Sequence, residues 1–246
     1  MERQACSQTI NNEFYDELGN DWYTSENHPI ALLRAENALR VPWIIEEIGK
    51  EKSVLDIGCG GGFLTNALAK AGHQAFGIDV SGKSLEVAKK RDTTGTVQYQ
   101  KANAYALPYE NESFDVVCAM DVLEHVEEPS LLIQEASRVL KSEGLFFFHT
   151  FNRNFLSYLI IIKGVDWCVP NAPKNMHVYP LFIKPKELKQ LLFDKKLAIT
   201  TLKGFRPKIF SRSFLKMLFS RKIPDDFGFR FSKNLDIGYC GAAKKF

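Results

Sequence analysis

No apolar stretch in this sequence is long enough to cross a bilayer. The longest, residues 155–162, falls far short of the roughly 20 residues that a spanning helix needs. Cysteine is scarce. Cys6, Cys59, Cys118, Cys168 and Cys240 make an odd set of five with no metal-knuckle spacing, so free thiols and a reducing, cytoplasmic setting are expected. The early residues are polar and acidic (Glu13, Asp16, Glu17), and no basic start followed by an apolar core suggests export. A net charge of +3 is too small to imply nucleic acid as a partner. No Asn-Pro-Pro-Tyr motif for a flipped base is present, and there is no internal repeat or low-complexity tract.

The chain does have enough apolar residues for one sizeable core, 45% of 246. Apolar runs alternate with helical periodicity. Strands are expected near residues 53–57, 74–79, 96–101, 114–120 and 144–151, and helices near 62–71, 82–91 and 128–140. A further helix is expected at 185–194, with strands at 197–205 and 235–244. Such alternation predicts an α/β fold with a seven-stranded, mostly parallel, doubly wound sheet. The expected organisation is one domain, residues 1–246, with an N-terminal helical cap at 10–50 and substrate-side insertions at 152–185 and 203–234.

The most informative segment is Val54-Leu55-Asp56-Ile57-Gly58-Cys59-Gly60-Gly61-Gly62-Phe63-Leu64, an apolar strand running into glycines before a helix. Asp79 closes the next strand, where a carboxylate takes ribose hydroxyls in nucleoside-binding α/β domains. A dinucleotide fingerprint would require a third glycine where Phe63 stands. A plain turn would need neither four glycines in five residues nor Asp79. The pattern Asp56-x-Gly58-x-Gly60 instead resembles the first motif of class I S-adenosylmethionine (SAM) methyltransferases, whose fold is Rossmann-like.

Within that class the chain resembles the ubiquinone-biosynthesis O-methyltransferases, which act on polyprenylated catechols and demethylubiquinols. Asn37-Ala38-Leu39-Arg40-Val41 and Leu123-Glu124-His125-Val126 carry part of the likeness. Asn152-Arg153-Asn154, Ser157-Tyr158-Leu159, Val165-Asp166, Pro173-Lys174, His177 and Phe182-Ile183-Lys184-Pro185-x-Glu187-Leu188 follow in the family's order. The likeness runs over residues 13–195 and fades after 200.

The resemblance implies transfer of a methyl group from SAM to a phenolic or quinol oxygen. Arg40 would pair with the methionine carboxylate, Gly58 would lie beside the amino-acid part, Asp79 would take the ribose and Met120 would contact the adenosine. Asn103 stands where an adenine contact is expected, and a turn role fits it equally. A neutral phenol is a poor nucleophile, so the site must orient it and help to remove its proton. His125, His149 and His177 are candidates for that work, each with a structural role as the alternative.

Asp121, Glu124 and His125 have i, i+3, i+4 spacing on an expected helix and correspond to the family's Glu-x-x-Glu-His, with a shorter-reaching Asp as the first acid, and the resemblance implies Mg2+ or another divalent cation there. Asp121-x-x-Glu124 also fits a helix capping box.

Residues 203–222 hold seven basic residues and no acidic one, interleaved with phenylalanine and aliphatics. The mixture fits a segment lying on an anionic membrane surface, so a peripherally associated cytoplasmic enzyme is expected, and a lid or a solvated hairpin fits it too. Another phenol, a sugar or a lipid-like metabolite remains an alternative acceptor, and a SAM-binding module without catalysis an alternative role. The oligomeric state is not legible.

Overall fold

The computed structural model of the chain describes residues 10–169 and 171–246. Cys6 therefore lies outside the described residues; Cys59, Cys118, Cys168 and Cys240 are free thiols.

Five strands run parallel: β1 (Ser53–Ile57), β2 (Gln74–Asp79), β3 (Gln98–Lys101), β4 (Phe114–Ala119) and β5 (Leu140–Phe151). Three antiparallel strands, β6 (Leu197–Pro207), β7 (Phe229–Ser232) and β8 (Gly238–Lys245), complete the order β3-β2-β1-β4-β5-β8-β6-β7. The sheet thus has eight strands rather than the expected seven. The addition is β7, four residues paired with the end of β6, whose mixed sequence Phe-Arg-Phe-Ser carries no strong strand pattern.

The helices, in chain order, are α1 (Asp21–Thr24), α2 (Ile30–Ile48), α3 (Phe63–Lys70), α4 (Gly82–Arg91), α5 (Pro129–Val139), α6 (Phe155–Ser157), α7 (Val165–Cys168), α8 (Pro185–Asp194) and α9 (Arg212–Ser220). A π-helical stretch, Tyr158–Gly164, joins α6 to α7. The 3-10 turn Glu13–Asp16 precedes α1. No helix among the described residues is long and apolar enough to cross a membrane.

The central strands read as near-continuous apolar runs because helices cover both faces. Val54, Leu55 and Ile57 of β1, and Val117 and Cys118 of β4, are buried. Phe146, Phe147 and Phe148 of β5 alternate sides, so Phe146 and Phe148 pack with α5 and α8 residues while Phe147 packs with Trp43 of α2. Each buried phenylalanine contributes roughly 2 kcal/mol. The consequence for function is positional: the carboxyl ends of β1, β2, β4 and β5 open onto one crevice, the usual ligand side of such sheets.

Candidate active site

At the end of β1 the chain must turn without side-chain interference. Gly58 (φ +70°) and Gly60 (φ +51°) lie in the left-handed region that favours glycine. Gly58 N–H and Cys59 N–H both donate to the Ile78 carbonyl at 2.9 Å, which folds the loop against β2. A Cβ on Gly60 would overlap the indole of Trp22, and one on Gly61 would stand 2.7 Å from it.

Asp79, the last residue of β2, fixes this loop. Its Oδ2 accepts from Gly60 N–H and its Oδ1 from Ser81 N–H, both at 2.8 Å. Each oxygen retains a lone pair for a further donor. Burial raises its pKa, against the pull of these backbone bonds. Asp56 in β1 accepts from Thr65 Oγ1 at 2.6 Å, and burial pushes its carboxyl up to about 7.

Around these groups lies a cavity of ≈ 400 Å³, lined by Asp56, Gly58, Gly60, Asp79, Asn103 and Met120 among others. The residues fit SAM: a glycine turn that tolerates close approach, a carboxylate with free lone pairs, and apolar Met120 and Phe63 in the lining. Asn103 forms a turn, its Oδ1 accepting from Tyr105 N–H at 2.9 Å, which leaves its amide N–H2 for a ligand.

A second cavity of ≈ 280 Å³ adjoins the first, and Tyr15, Leu33, Asp121 and His125 line both. Its walls are mainly apolar, with Phe151, Leu159, Ile160, Phe214, Met217 and Phe229 among them, and Glu36, Glu124 and His177 as polar points. The rings of His125 and His177 lie 5.3 Å apart. His125 Nδ1 meets Asn12 Oδ1 at 3.1 Å. Burial pulls the pKa of His125 down to about 4, and burial together with His125 pulls that of His177 down to about 3, so both rings are neutral.

Arg40 of α2 lies elsewhere than expected. It is fully buried, lines neither cavity, and its Nη1 and Nη2 donate to Asp121 Oδ1 and Oδ2 at 2.6 and 2.5 Å. Glu36 stands 3.4 Å away, one helical turn back, and His149 Nδ1 meets Asp121 from β5. Asp121 has φ +58° and precedes a single 3-10 turn, Leu123–His125, whose N-cap is Val122 and makes no side-chain cap bond. The expected helix and capping box at 121–125 are therefore replaced by one turn, because Asp121 is turned towards Arg40.

That arrangement does not suit the divalent cation that the resemblance implies. Both oxygens of Asp121 already face the Arg40 guanidinium. Glu124 is fully buried without a hydrogen-bond partner among the described residues, and burial raises its pKa well above the usual carboxylate range. The metal-compatible set among the described residues is instead Glu36, Asp121 and His149, and Arg40 supplies the cation there.

Sequence reading missed Tyr15, Trp22 and Phe63 as site residues. The signal was present as an aromatic cluster, Phe14, Tyr15, Trp22 and Tyr23, close before the glycine turn in space though far from it in sequence.

A glycine turn after β1, an acid closing β2 and an adjoining second cavity define a class I SAM-dependent methyltransferase. The family model for a methyltransferase domain matches residues 55–148. The ubiquinone biosynthesis O-methyltransferase of Nitrosomonas europaea is 41% identical over 181 residues, which is 72% of this chain and 77% of that protein. The protein of the same name from Leptothrix cholodnii is 34% identical over 206 residues, 81% of this chain and 87% of the relative. The chain belongs to the ubiquinone biosynthesis O-methyltransferase family. Among solved structures, the magnesium protoporphyrin IX methyltransferase of Synechocystis PCC 6803 with bound SAH shares the fold, with a TM-score of 0.61 and 17% identity over 98% of this chain and 90% of that one.

Proposed function

We propose that the enzyme methylates a phenolic oxygen of a polyprenylated catechol or demethylated quinol. The observation that carries this reading is the apolar cavity beside the cofactor cavity, with Tyr15, Leu33, Asp121 and His125 lining both. A ring bearing an apolar chain can place its oxygen beside those shared residues and its chain among Leu159, Ile160 and Met217. The names of the relatives support the same acceptor class.

Bound SAM supplies an electrophilic sulfonium methyl group. The chain's part is to hold it through Gly58, Gly60, Asp79 and Met120, to exclude water with Trp22 and Phe63, and to align the acceptor oxygen. His125 and His177 line the acceptor cavity, and we propose that one of them accepts the phenolic proton once the forming phenolate beside it raises the ring's low pKa. His149 is fully buried, lines neither cavity and holds Asp121; we assign it a positioning role. Arg40 and His149 already engage Asp121, so in this reading residues 121–125 orient the acceptor without a metal.

We also propose one functional domain, with residues 10–50 capping the cofactor and residues 152–185 and 203–234 walling the acceptor. Those walls carry exposed apolar groups, Phe155 at 76%, Trp167 at 64%, Phe210 at 94% and Phe219 at 88%. In sequence, Lys208, Arg212, Lys216, Arg221 and Lys222 flank Phe210 and Phe219. A cytoplasmic enzyme drawing a prenylated acceptor from an anionic membrane surface would use such a face. Co-sedimentation with phosphatidylglycerol vesicles, and none with phosphatidylcholine vesicles, is the expected result; equal behaviour with both would remove the basic residues from the argument.

The central test is methyl transfer from labelled SAM to a short-chain prenylated catechol and a demethylubiquinol, with and without excess chelator. Turnover that persists in chelator is expected. No turnover on either acceptor, with SAM binding demonstrated, would remove the quinone reading and move the search to other acceptors or a binding role.

A further inference from the structure

Tyr15 lines both cavities, and its hydroxyl has no role in the methyl-transfer reading. Its position is fixed from several sides. The ring lies 4.0 Å from that of Phe14, stacks on Trp22 at 5.6 Å, and meets His125 edge-on at 6.0 Å. Its carbonyl accepts from Ser84 Oγ at 3.1 Å, and the neighbouring Asp16 Oδ1 accepts from Ser81 Oγ at 2.5 Å. The 3-10 turn is thereby pinned to the start of α4, just beyond Asp79.

The ring is anchored but its hydroxyl is not: it makes no hydrogen bond with a described residue. Burial, and the carboxylates of Asp121, Glu124 and Asp79, raise the pKa of this phenol, so it keeps its proton and remains an O–H donor. A polar group held rigidly at a cavity boundary without a protein partner is suited to a ligand's acceptor atom.

Which atom follows from the chemistry. A donor on the attacking oxygen would draw electron density from the nucleophile and slow the transfer. A donor on the neighbouring ring oxygen orients the same ring without that cost. We propose that Tyr15 is a specificity-determining residue, donating a hydrogen bond to the ring oxygen adjacent to the one methylated and so favouring vicinally dioxygenated rings over simple phenols. The inference rests on the phenolic-acceptor reading above.

The test compares the wild type with Tyr15→Phe, which keeps the ring and its packing, on a prenylated catechol and the matching prenylated monophenol. For the catechol, an approximately tenfold loss of kcat/KM is expected, the size of one hydrogen bond, carried mostly by KM. For the monophenol kcat/KM should stay within twofold, so that the catechol preference collapses. Calorimetric SAM affinity and the melting temperature should match the wild type, which separates this role from a structural one. An unchanged catechol-to-monophenol ratio, in a variant that folds and binds SAM, would overturn the assignment while the phenolic reading stands. A wild type that neither methylates these rings nor, when loaded with S-adenosylhomocysteine, binds 4-methylcatechol in calorimetry would overturn the phenolic reading and this inference with it.

Discussion

Arg40 and Asp121 form a two-point ion pair, Nη1 to Oδ1 at 2.6 Å and Nη2 to Oδ2 at 2.5 Å, that ties α2 to the loop after β4. Burial alone would raise the Asp121 pKa, but Arg40 and His149 more than reverse this and hold the carboxyl well below its usual range. The pair also keeps Asp121 at φ +58°, a conformation that costs a non-glycine residue of order 1 kcal/mol or more.

Asp121→Asn should therefore be strongly destabilising, because it leaves a fully buried guanidinium facing an uncharged amide, with the Glu36 carboxyl at 3.4 Å, which burial keeps protonated up to about pH 8, as the remaining acid beside it. Breaking a buried pair from one side costs about 3–5 kcal/mol. Urea unfolding with an unchanged m-value is the check. A loss below about 1 kcal/mol would show that Glu36 alone can balance Arg40.

Asp79→Ala removes a carboxylate placed to meet the ribose and also the acceptor for Gly60 N–H and Ser81 N–H. Charge-assisted hydrogen bonds are worth about 1.5–3 kcal/mol each, so calorimetry should show SAM affinity falling on the order of 100-fold. Asp79→Asn keeps an acceptor and should fall less. An alanine variant within threefold of the wild type would remove Asp79 from the cofactor grip.

Gly60→Ala places a methyl group where the Trp22 indole lies and forces a left-handed φ on alanine. Trp22 is 2% exposed, so it has little room to yield. A red-shifted tryptophan emission and a SAM affinity at least tenfold weaker are expected. Normal binding with unshifted emission would mean that Trp22 does not cover the turn.

Much of this was legible in the sequence because local rules and tertiary demands agree. The β1-turn-α3 unit and Asp79 were readable, since apolar strands, left-handed glycines and a strand-terminal acid each have a local signature. The small strand β7 was not, because its four residues pair by virtue of lying beside β6 rather than by their own pattern. The partnership of Arg40 with Asp121 spans 81 residues, and the site formed by Tyr15 and Trp22 against the glycine turn is equally non-local. Spacing of i, i+3, i+4 suggested a helix at 121–125, and the long-range pair overrode it.

The buried histidines give the last prediction. The pKa values of His125 and His177, drawn down to about 4 and about 3, lie below the ordinary value near 6.5 that each regains on unfolding. In both cases the unfolded chain binds the proton more readily, so stability is fully present above pH 6.5 and is lost as pH falls from there towards 4. Glu36, pushed up to about 8 by burial against the pull of Arg40, acts in the opposite sense as pH rises from about 4.5 to 8. The overlap makes the slope of the wild type alone ambiguous, and a difference between variants isolates the histidine. His125→Gln should flatten the acid-side loss by up to about 3 kcal/mol at pH 4, read from urea unfolding at pH 4, 5.5 and 7. Parallel curves for variant and wild type would mean that the His125 ring takes up its proton in the folded protein as easily as in the unfolded chain, and the neutral proton acceptor beside the acceptor cavity would then have to be His177.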